Sequence, residues 1–441
     1  MPHVVMFLPG IMGSVLKLGE DVIWPGSVSS LVLPYKKMPE LLMPNLVATD
    51  CIRSFVMPQY QSLLDDLTAW GFDEQAGTLV VVPYDWRKPI QETAQTIGDA
   101  LATVLQRHGV DVEVSLVAHS MGGLLSRYFL ECGKFNGHPG WGRVVRLITL
   151  GTPHRGATIA LPLVLGMEKK LFLSKDQVRL LASDVRYPGA YQLLPAPSEP
   201  IAWDDAPGQA LALRNIYAPD IIAKLDLQPA NLKQAELLHA IFIAGVRPAH
   251  VRYFCFSGNR ETTVPFVKLR PTSGERLEPA KQEVENGGDG TVPNWSSTLP
   301  GAQFLYVAGE HGTIYKNHQL RRTLALLLGC PSLLAAGAPT EIWLREPVVN
   351  PFDVIHARLT LPAGVTELLG RVVIERMGMT LAAPMALVSS DQISYKGPEI
   401  DNFNVLLRAP VNHGIYRVAY YDTKGVGPAS SAEIIVQESI P

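Results

Sequence analysis

A mostly parallel α/β sheet with helices on both faces, interrupted by an inserted cap and followed by a small all-β sandwich, is the architecture this sequence predicts. Three observations carry that reading. Apolar runs of strand length alternate with amphipathic helical stretches over the first 150 or so residues, which implies right-handed crossovers between parallel strands. One of these runs ends in a sharp turn at Ser120, and a helical stretch departs from it at once. From Phe352 onward the pattern changes to short alternating strands of the kind that build an Ig-like sandwich.

With 441 residues, 47% hydrophobic and 18% charged, the chain is long enough for one large domain and one small one. We place them at residues 1–335, with a cap at about 157–249, and at residues 340–441. A net charge of -3 and the lack of any Lys/Arg block give no expectation of nucleic acid as a partner. The opening Met1 to Gly10 has no basic flank and too short an apolar run for a signal core, so it reads as the first strand and a cytoplasmic location is expected. The uncharged, apolar stretch Gly156 to Met167 is short and broken by Pro162, so no transmembrane segment is expected. Cys51, Cys132, Cys255 and Cys330 lie far apart with no CxxC spacing, which predicts buried thiols and neither a disulfide framework nor a zinc site. No metal and no cofactor are expected.

Taken in order, Val4 to Leu8 predicts a buried strand that runs into Pro9-Gly10-Ile11-Met12-Gly13-Ser14, whose glycines let the main chain turn its N–H groups to a common point. With no G-K-[ST] ending, an oxyanion site suits this loop better than a nucleotide site, and an ordinary Gly/Pro turn is the bland alternative. Residues 20–58 form a Pro-broken loop with Trp24, Leu31, Leu33, Tyr35, Leu41, Leu42 and Met43, which reads as a cover. Helix 60–70, strand 78–82, helix 91–108 and strand 112–118 follow, then the elbow helix and strand 144–150. Residues 157–249 break the rhythm with helices predicted at 175–182, 219–225 and 231–242. Strands 251–257 and 303–307 resume the sheet, helix 316–328 closes it, and the Pro-rich stretch 331–351 reads as a linker. Strands are then predicted at 353–361, 404–408, 414–421 and 432–438. Gly414-Ile415-Tyr416-Arg417-Val418 suggests a tyrosine corner. This module is expected to carry no chemistry and to dock a partner protein or the catalytic domain.

The stretch Leu116-Val117-Ala118-His119-Ser120-Met121-Gly122-Gly123 has the strand, turn and helix pattern of a nucleophile elbow, with Ala118 in place of the usual first glycine. A serine in a plain tight turn is the alternative. A serine hydroxyl needs a base, and that base needs an acid to hold its tautomer, in chain order Ser, acid, His. His311, in the loop after the last sheet strand, fits the base. His154 precedes any plausible acid loop, and His318 falls inside the final helix. Asp289, set among glycines in Gly287-Gly288-Asp289-Gly290-Thr291, fits the acid. A calcium loop lacks its acidic spacing, and a structural turn aspartate stays open.

Together these blocks resemble the lecithin:cholesterol acyltransferase family of α/β-hydrolases, which includes lysosomal phospholipase A2 and the phospholipid:diacylglycerol acyltransferases. The resemblance covers most of residues 1–330. It rests on Phe7 to Ser14, Pro83-Tyr84-Asp85-Trp86-Arg87, the elbow, Gly151-Thr152-Pro153-His154-Arg155-Gly156, Gly288 to Pro293, and Glu310-His311. It implies Ser120 as nucleophile, Asp289 as orienting acid and His311 as general base, with the backbone N–H groups of Met121 and Ile11 as oxyanion hole. It also implies the Trp24 region as a substrate-binding lid and the insertion as an acyl-binding cap. The Tyr84 to Arg87 block reads as structural. No close cysteine pair occurs in the N-terminal loop, unlike the secreted animal members, and the C-terminal module lies outside the resemblance.

The expected activity is therefore that of a serine acyl hydrolase or acyltransferase on phospholipid or neutral lipid esters, met at a membrane surface. A carboxylesterase on soluble or polymeric esters is the second enzymatic reading. A catalytically dead hydrolase used as a binding module is the alternative from another class.

Overall fold

The computed structural model describes residues 1–26, 35–53, 60–205, 211–272, 274–330, 340–346, 348–377, 385–423 and 429–437. The chain opens with β1 (His3–Leu8), and β2 (Ser14–Leu18), β3 (Asp21–Trp24) and β4 (Val47–Cys51) form a separate three-stranded antiparallel sheet. β5 (Leu79–Val81), β6 (Glu113–His119) and β7 (Val144–Leu150) then alternate with the helices Gln61–Ala69, Gln95–His108 and Met121–Glu131. β8 (Ala202–Asp204) and β9 (Leu213–Arg214) belong to the insertion, and β10 (Arg252–Asn259) returns to the central sheet. β11 (Glu261–Pro271) and β12 (Leu277–Gly288) make a hairpin before β13 (Gln303–Ala308).

The central sheet has the order β13-β10-β7-β6-β1-β5 with every neighbouring pair parallel. Its strands are apolar throughout because helices cover both faces. Side chains alternate across the sheet with period two, so Val4, Met6 and Leu8 meet Ile97, Leu101, Leu124 and Leu125 on one side. Val5 and Phe7 meet Leu63, Leu64, Leu67, Leu320 and Leu324 on the other. Each fully buried Leu, Val or Phe contributes roughly 1.5–3 kcal/mol. This is the α/β-hydrolase architecture. Helix Gln95–His108 stops where Gly109 takes φ 79°. The expected final helix is shortened to His318–Leu327, because residues His311–Lys316 form a 3₁₀ turn.

The cap is larger than the sequence suggested. Helices Lys175–Ser183, Pro219–Leu225 and Pro229–Ala244 are present, but the β11–β12 hairpin, which lies beyond residue 249, joins β8 and β9 in a four-stranded sheet of the same layer. Pro265 hides that strand from sequence reading. It sits where the β11–β12 register shifts between Thr263 and Phe266, at a bulge that tolerates its missing N–H. Among the described residues no helix is long and apolar enough to cross a membrane.

In the C-terminal region, β14 (Glu341–Leu344) and β15 (Val348–Val349) fall inside the stretch expected to be linker, of which residues 331–339 and 347 lie outside the described part. They are followed by β16 (Val354–Arg376), β17 (Ala386–Arg408), β18 (Gly414–Asp422) and β19 (Ser430–Val436). β16 is far longer than predicted. Its first half pairs with β14 and its second half with β18, and register shifts between Thr360 and Glu367 mark the bend between them. One sheet thus folds on itself into a sandwich whose core draws on both halves: Ile342, Leu344, Ala357 and Leu359 against Val372, Val418, Tyr420 and Ile434. Tyr416 donates its hydroxyl to the Asn412 carbonyl at 2.6 Å, the bond expected of a tyrosine corner.

Candidate active site

Strand β6 delivers Ser120 to a turn in which it takes φ 52°, a left-handed conformation that costs a non-glycine residue about 1–3 kcal/mol. Helix Met121–Glu131, buried along its whole length, starts at the next residue and holds the turn in place. Gly122 is required there, since a Cβ would lie 2.6 Å from the carbonyl oxygens of Leu8 and Pro9. Gly10 is required for a related reason: its Cβ would come within 2.9 Å of the Ser120 Cβ. The loop after β1 therefore lies directly against the serine. Ile11 of this loop and Ser120 line one cavity of about 510 Å³, and Met121 contributes one of the unpaired N–H groups at the first turn of its helix.

His311, in the 3₁₀ turn after β13, stands between the serine and the acid. The Ser120 hydroxyl donates to His311 Nε2 at 2.8 Å, and His311 Nδ1–H donates to Asp289 Oδ2 at 2.9 Å. Asp289 is buried at the end of the β11–β12 hairpin, and its other oxygen accepts from the backbone N–H groups of Val292 and Thr291 at 2.6 and 3.0 Å. The two loops are also tied directly, by His311 N–H donating to the Asp289 carbonyl at 2.8 Å. The three residues picked from the sequence are thus brought together. His154 is instead buried between Thr149 and Cys255, and its pKa is pushed well below the ordinary value by burial and by Arg127.

Two residues at the site carried no signal of their own in the sequence. Gly10 N–H donates to the Tyr60 hydroxyl at 2.8 Å, and that hydroxyl donates to His119 Nδ1 at 2.8 Å. His119 Nε2–H then donates to the carbonyl of His311 at 2.8 Å. The carbonyl can only accept, so this buried chain has a single direction and joins the Gly10 loop, the elbow and the His311 loop. Burial first, then the neighbouring His311, push the His119 pKa down to about 3. An unfolded histidine binds its proton near pH 6.5, so the stability contributed by neutral His119 is full above that pH and is lost as pH falls towards 3. Tyr60→Phe leaves Gly10 N–H and His119 Nδ1 unpaired, a cost of about 1–3 kcal/mol for a buried group. We expect kcat on a short ester to fall roughly tenfold with KM unchanged; a wild-type kcat would remove Tyr60 from the site's support.

Trp24 is not where a substrate contact was expected. It is fully buried among Tyr35, Trp86 and Phe172, donates its indole N–H to the Met12 carbonyl at 2.8 Å, and does not line the cavity. The apolar character that suggested a lid instead packs under the loop after β1, where Met12 takes φ 61°. Of the rest of the expected cover, Leu31 and Leu33 lie outside the described residues, and Leu41 is buried. The Asp85–Arg87 pair ties this block to the preceding loop, and Trp86 and Arg87 also line the cavity beside Ser120. The Arg87 guanidinium bonds Asp85 through Nε at 2.8 Å and Nη2 at 2.6 Å, and it also donates to the carbonyls of Leu41 and Met43.

The cavity beside Ser120 is walled in part by the insertion, with Ile159, Ala160, Leu163, Val164 and Leu173 on its apolar side. The same stretch also places Glu168, Lys169 and Lys170 on the cavity wall.

The lecithin:cholesterol acyltransferase family model matches residues 49–221, which bears out the resemblance read from the motifs. No curated protein matches the chain. Among solved structures, a chain of the Tle4-Tli4 complex aligns with a TM-score of 0.54 at 15% identity, over 76% of this chain and 99% of that one, and at that identity what the two share is the fold. The product of lin2722 from Listeria innocua aligns at 0.32 and 12% identity, over 74% and 94% of the two chains. The metagenomic carboxyl esterase MGS0156 aligns at 0.34 and 12% identity, over 75% and 70%.

Proposed function

From the match to the lecithin:cholesterol acyltransferase family and the hydrogen-bonded line Ser120–His311–Asp289, we propose that this chain is a serine acyl hydrolase or acyltransferase acting on lipid esters. The observation that carries the reading is that line of 2.8 and 2.9 Å bonds opening onto an apolar cavity. Ser120 Oγ attacks the ester carbonyl carbon while its proton passes to His311 Nε2. The carbonyl oxygen becomes an oxyanion facing the N–H groups of Ile11 and Met121. The tetrahedral intermediate then collapses, the carbon–oxygen bond to the leaving alcohol breaks, and His311 returns its proton to that oxygen. Water or a second alcohol, deprotonated by the same imidazole, releases the acyl group from Ser120. Asp289 stabilises the imidazolium and holds the tautomer that leaves Nε2 free to accept.

The lipid assignment rests on the cavity's apolar wall and on the family match. Turnover of a long-chain ester should rise when phospholipid vesicles or micelles are supplied, with short-ester turnover unchanged. Leu163→Trp narrows the apolar side and should lower long-chain kcat/KM by about 10–200-fold, the range one or two displaced methylenes command, while sparing a short ester. Equal rates on both substrates in the variant would favour a carboxylesterase of soluble esters.

A further inference from the structure

The C-terminal sandwich reaches the reacting loops through the β14–β16 ladder. β14 and β16 are antiparallel with Trp343 opposite Arg358, so these two side chains leave the same face of the ladder. Arg345 continues that face, two residues beyond Trp343. The opposite face, with Ile342, Leu344, Ala357 and Leu359, is the sandwich's own core. The first face therefore points away from that core, and it meets the catalytic domain. Arg358 lies 4.6 Å from the Trp343 ring centroid, its Nε donates to Asn404 at 2.9 Å, and its Nη1 contacts the buried Glu261 carboxylate at 2.5 Å. Glu261 opens β11 and is paired in the ladder with Gly288, the residue before Asp289. Arg345 Nε lies 4.0 Å from the buried carboxylate of Glu310, the residue before His311.

We infer that the C-terminal domain is a working part of the active site, in which Arg358 and Arg345 act as positioning residues for the acid loop and the base loop. This rests on the reading of Ser120, His311 and Asp289 given above. It replaces the expectation that the module carries no chemistry. Glu310 directly precedes His311, and Glu261 is paired with the residue before Asp289; a buried carboxylate in either place needs a cation facing it. Burial, and Glu261 beside it, push the Glu310 carboxyl well above the usual range, while Arg345 and Arg358 act in the opposite sense. Both cations come from residues beyond 340, so without this domain the two carboxylates lose those partners together. The same domain contributes Trp343, Leu344, Arg345 and Glu433 to the wall of the cavity that holds Ser120.

The test uses the full chain. Arg358→Met should lower kcat on p-nitrophenyl butyrate, and the rate of fluorophosphonate labelling, by roughly 10–100-fold, the scale set by a small misplacement of reacting groups, with KM unchanged. Arg358→Lys should recover part of the loss. The double variant Arg358→Met with Glu261→Gln should recover most of it, because no buried carboxylate is left without a cation. The downfield proton resonance of His311 Nδ1–H should broaden or vanish in Arg358→Met and return in the double variant. A folded Arg358→Met with wild-type kcat and an unchanged resonance would overturn the proposal. If Arg358→Met does not fold, Arg345→Met and Glu261→Gln are read against the same two outcomes. Should the wild-type chain neither label nor turn over ester, the proposed function fails, and the His311 resonance still decides whether the arginines position the loops.

Discussion

His311→Ala and Asp289→Asn are each expected to lower kcat on a short ester by about 10⁴-fold, and the double variant by little more than either alone. In the proposed mechanism the three residues act as one unit. Without His311 none of the described residues within hydrogen-bond reach takes the serine proton, since the neighbouring His119 has both ring nitrogens committed, to Tyr60 and to the His311 carbonyl. In Asp289→Asn the side chain would retain the backbone bonds from Thr291 and Val292 but would present an amide to Nδ1, which favours the wrong tautomer. Steady-state rates of the two single variants and the double variant check this directly. Additive losses would mean that the residues do not share one transition state. A loss of the same size in His154→Ala or His318→Ala would mean that another histidine is the base.

Trp24→Ala has the second large effect, and it falls on stability. A fully buried tryptophan packed against three aromatic rings costs about 3–5 kcal/mol when truncated, and the lost indole N–H leaves the Met12 carbonyl without its donor. The unfolding midpoint should drop accordingly. Because Trp24 supports the loop that carries Ile11 and does not touch the cavity, activity on long and short esters should fall by the same factor. Denaturant unfolding and paired assays on two chain lengths read both parts. A loss confined to the long-chain ester, in a protein of wild-type stability, would return Trp24 to the substrate site.

Trp24 also shows where the sequence stopped being informative. Its neighbourhood is Pro-broken and apolar, which describes a cover over a site and a buried support equally well, and only the rings from residues 35, 86 and 172 decide between them. By contrast the elbow is a local event: strand, strained serine and helix are contiguous over residues 113–131, so composition and spacing suffice. His311 and Asp289 were legible because the fold fixes their order and because each follows a recognisable strand or glycine turn. The β11–β12 hairpin was missed because Pro265 reads as a strand breaker unless the bulge that houses it is known. Tyr60 and Arg358 left no trace. Tyr60 looks like the start of an amphipathic helix, and Arg358 like a charge on an alternating strand. Their significance lies in contacts 59 and 97 residues away along the chain, to His119 and to Glu261.

If Ser120 is the nucleophile, intact-mass analysis after fluorophosphonate treatment reads it out. The wild-type chain should gain one phosphonyl group, mapped to the peptide that contains Ser120, and lose ester turnover in step with labelling. Ser120→Ala should fold normally, remain unlabelled and show no turnover above the residual left by the oxyanion site and binding. Labelling of Ser120→Ala, with turnover at the wild-type rate, would contradict the assignment and the mechanism built on it.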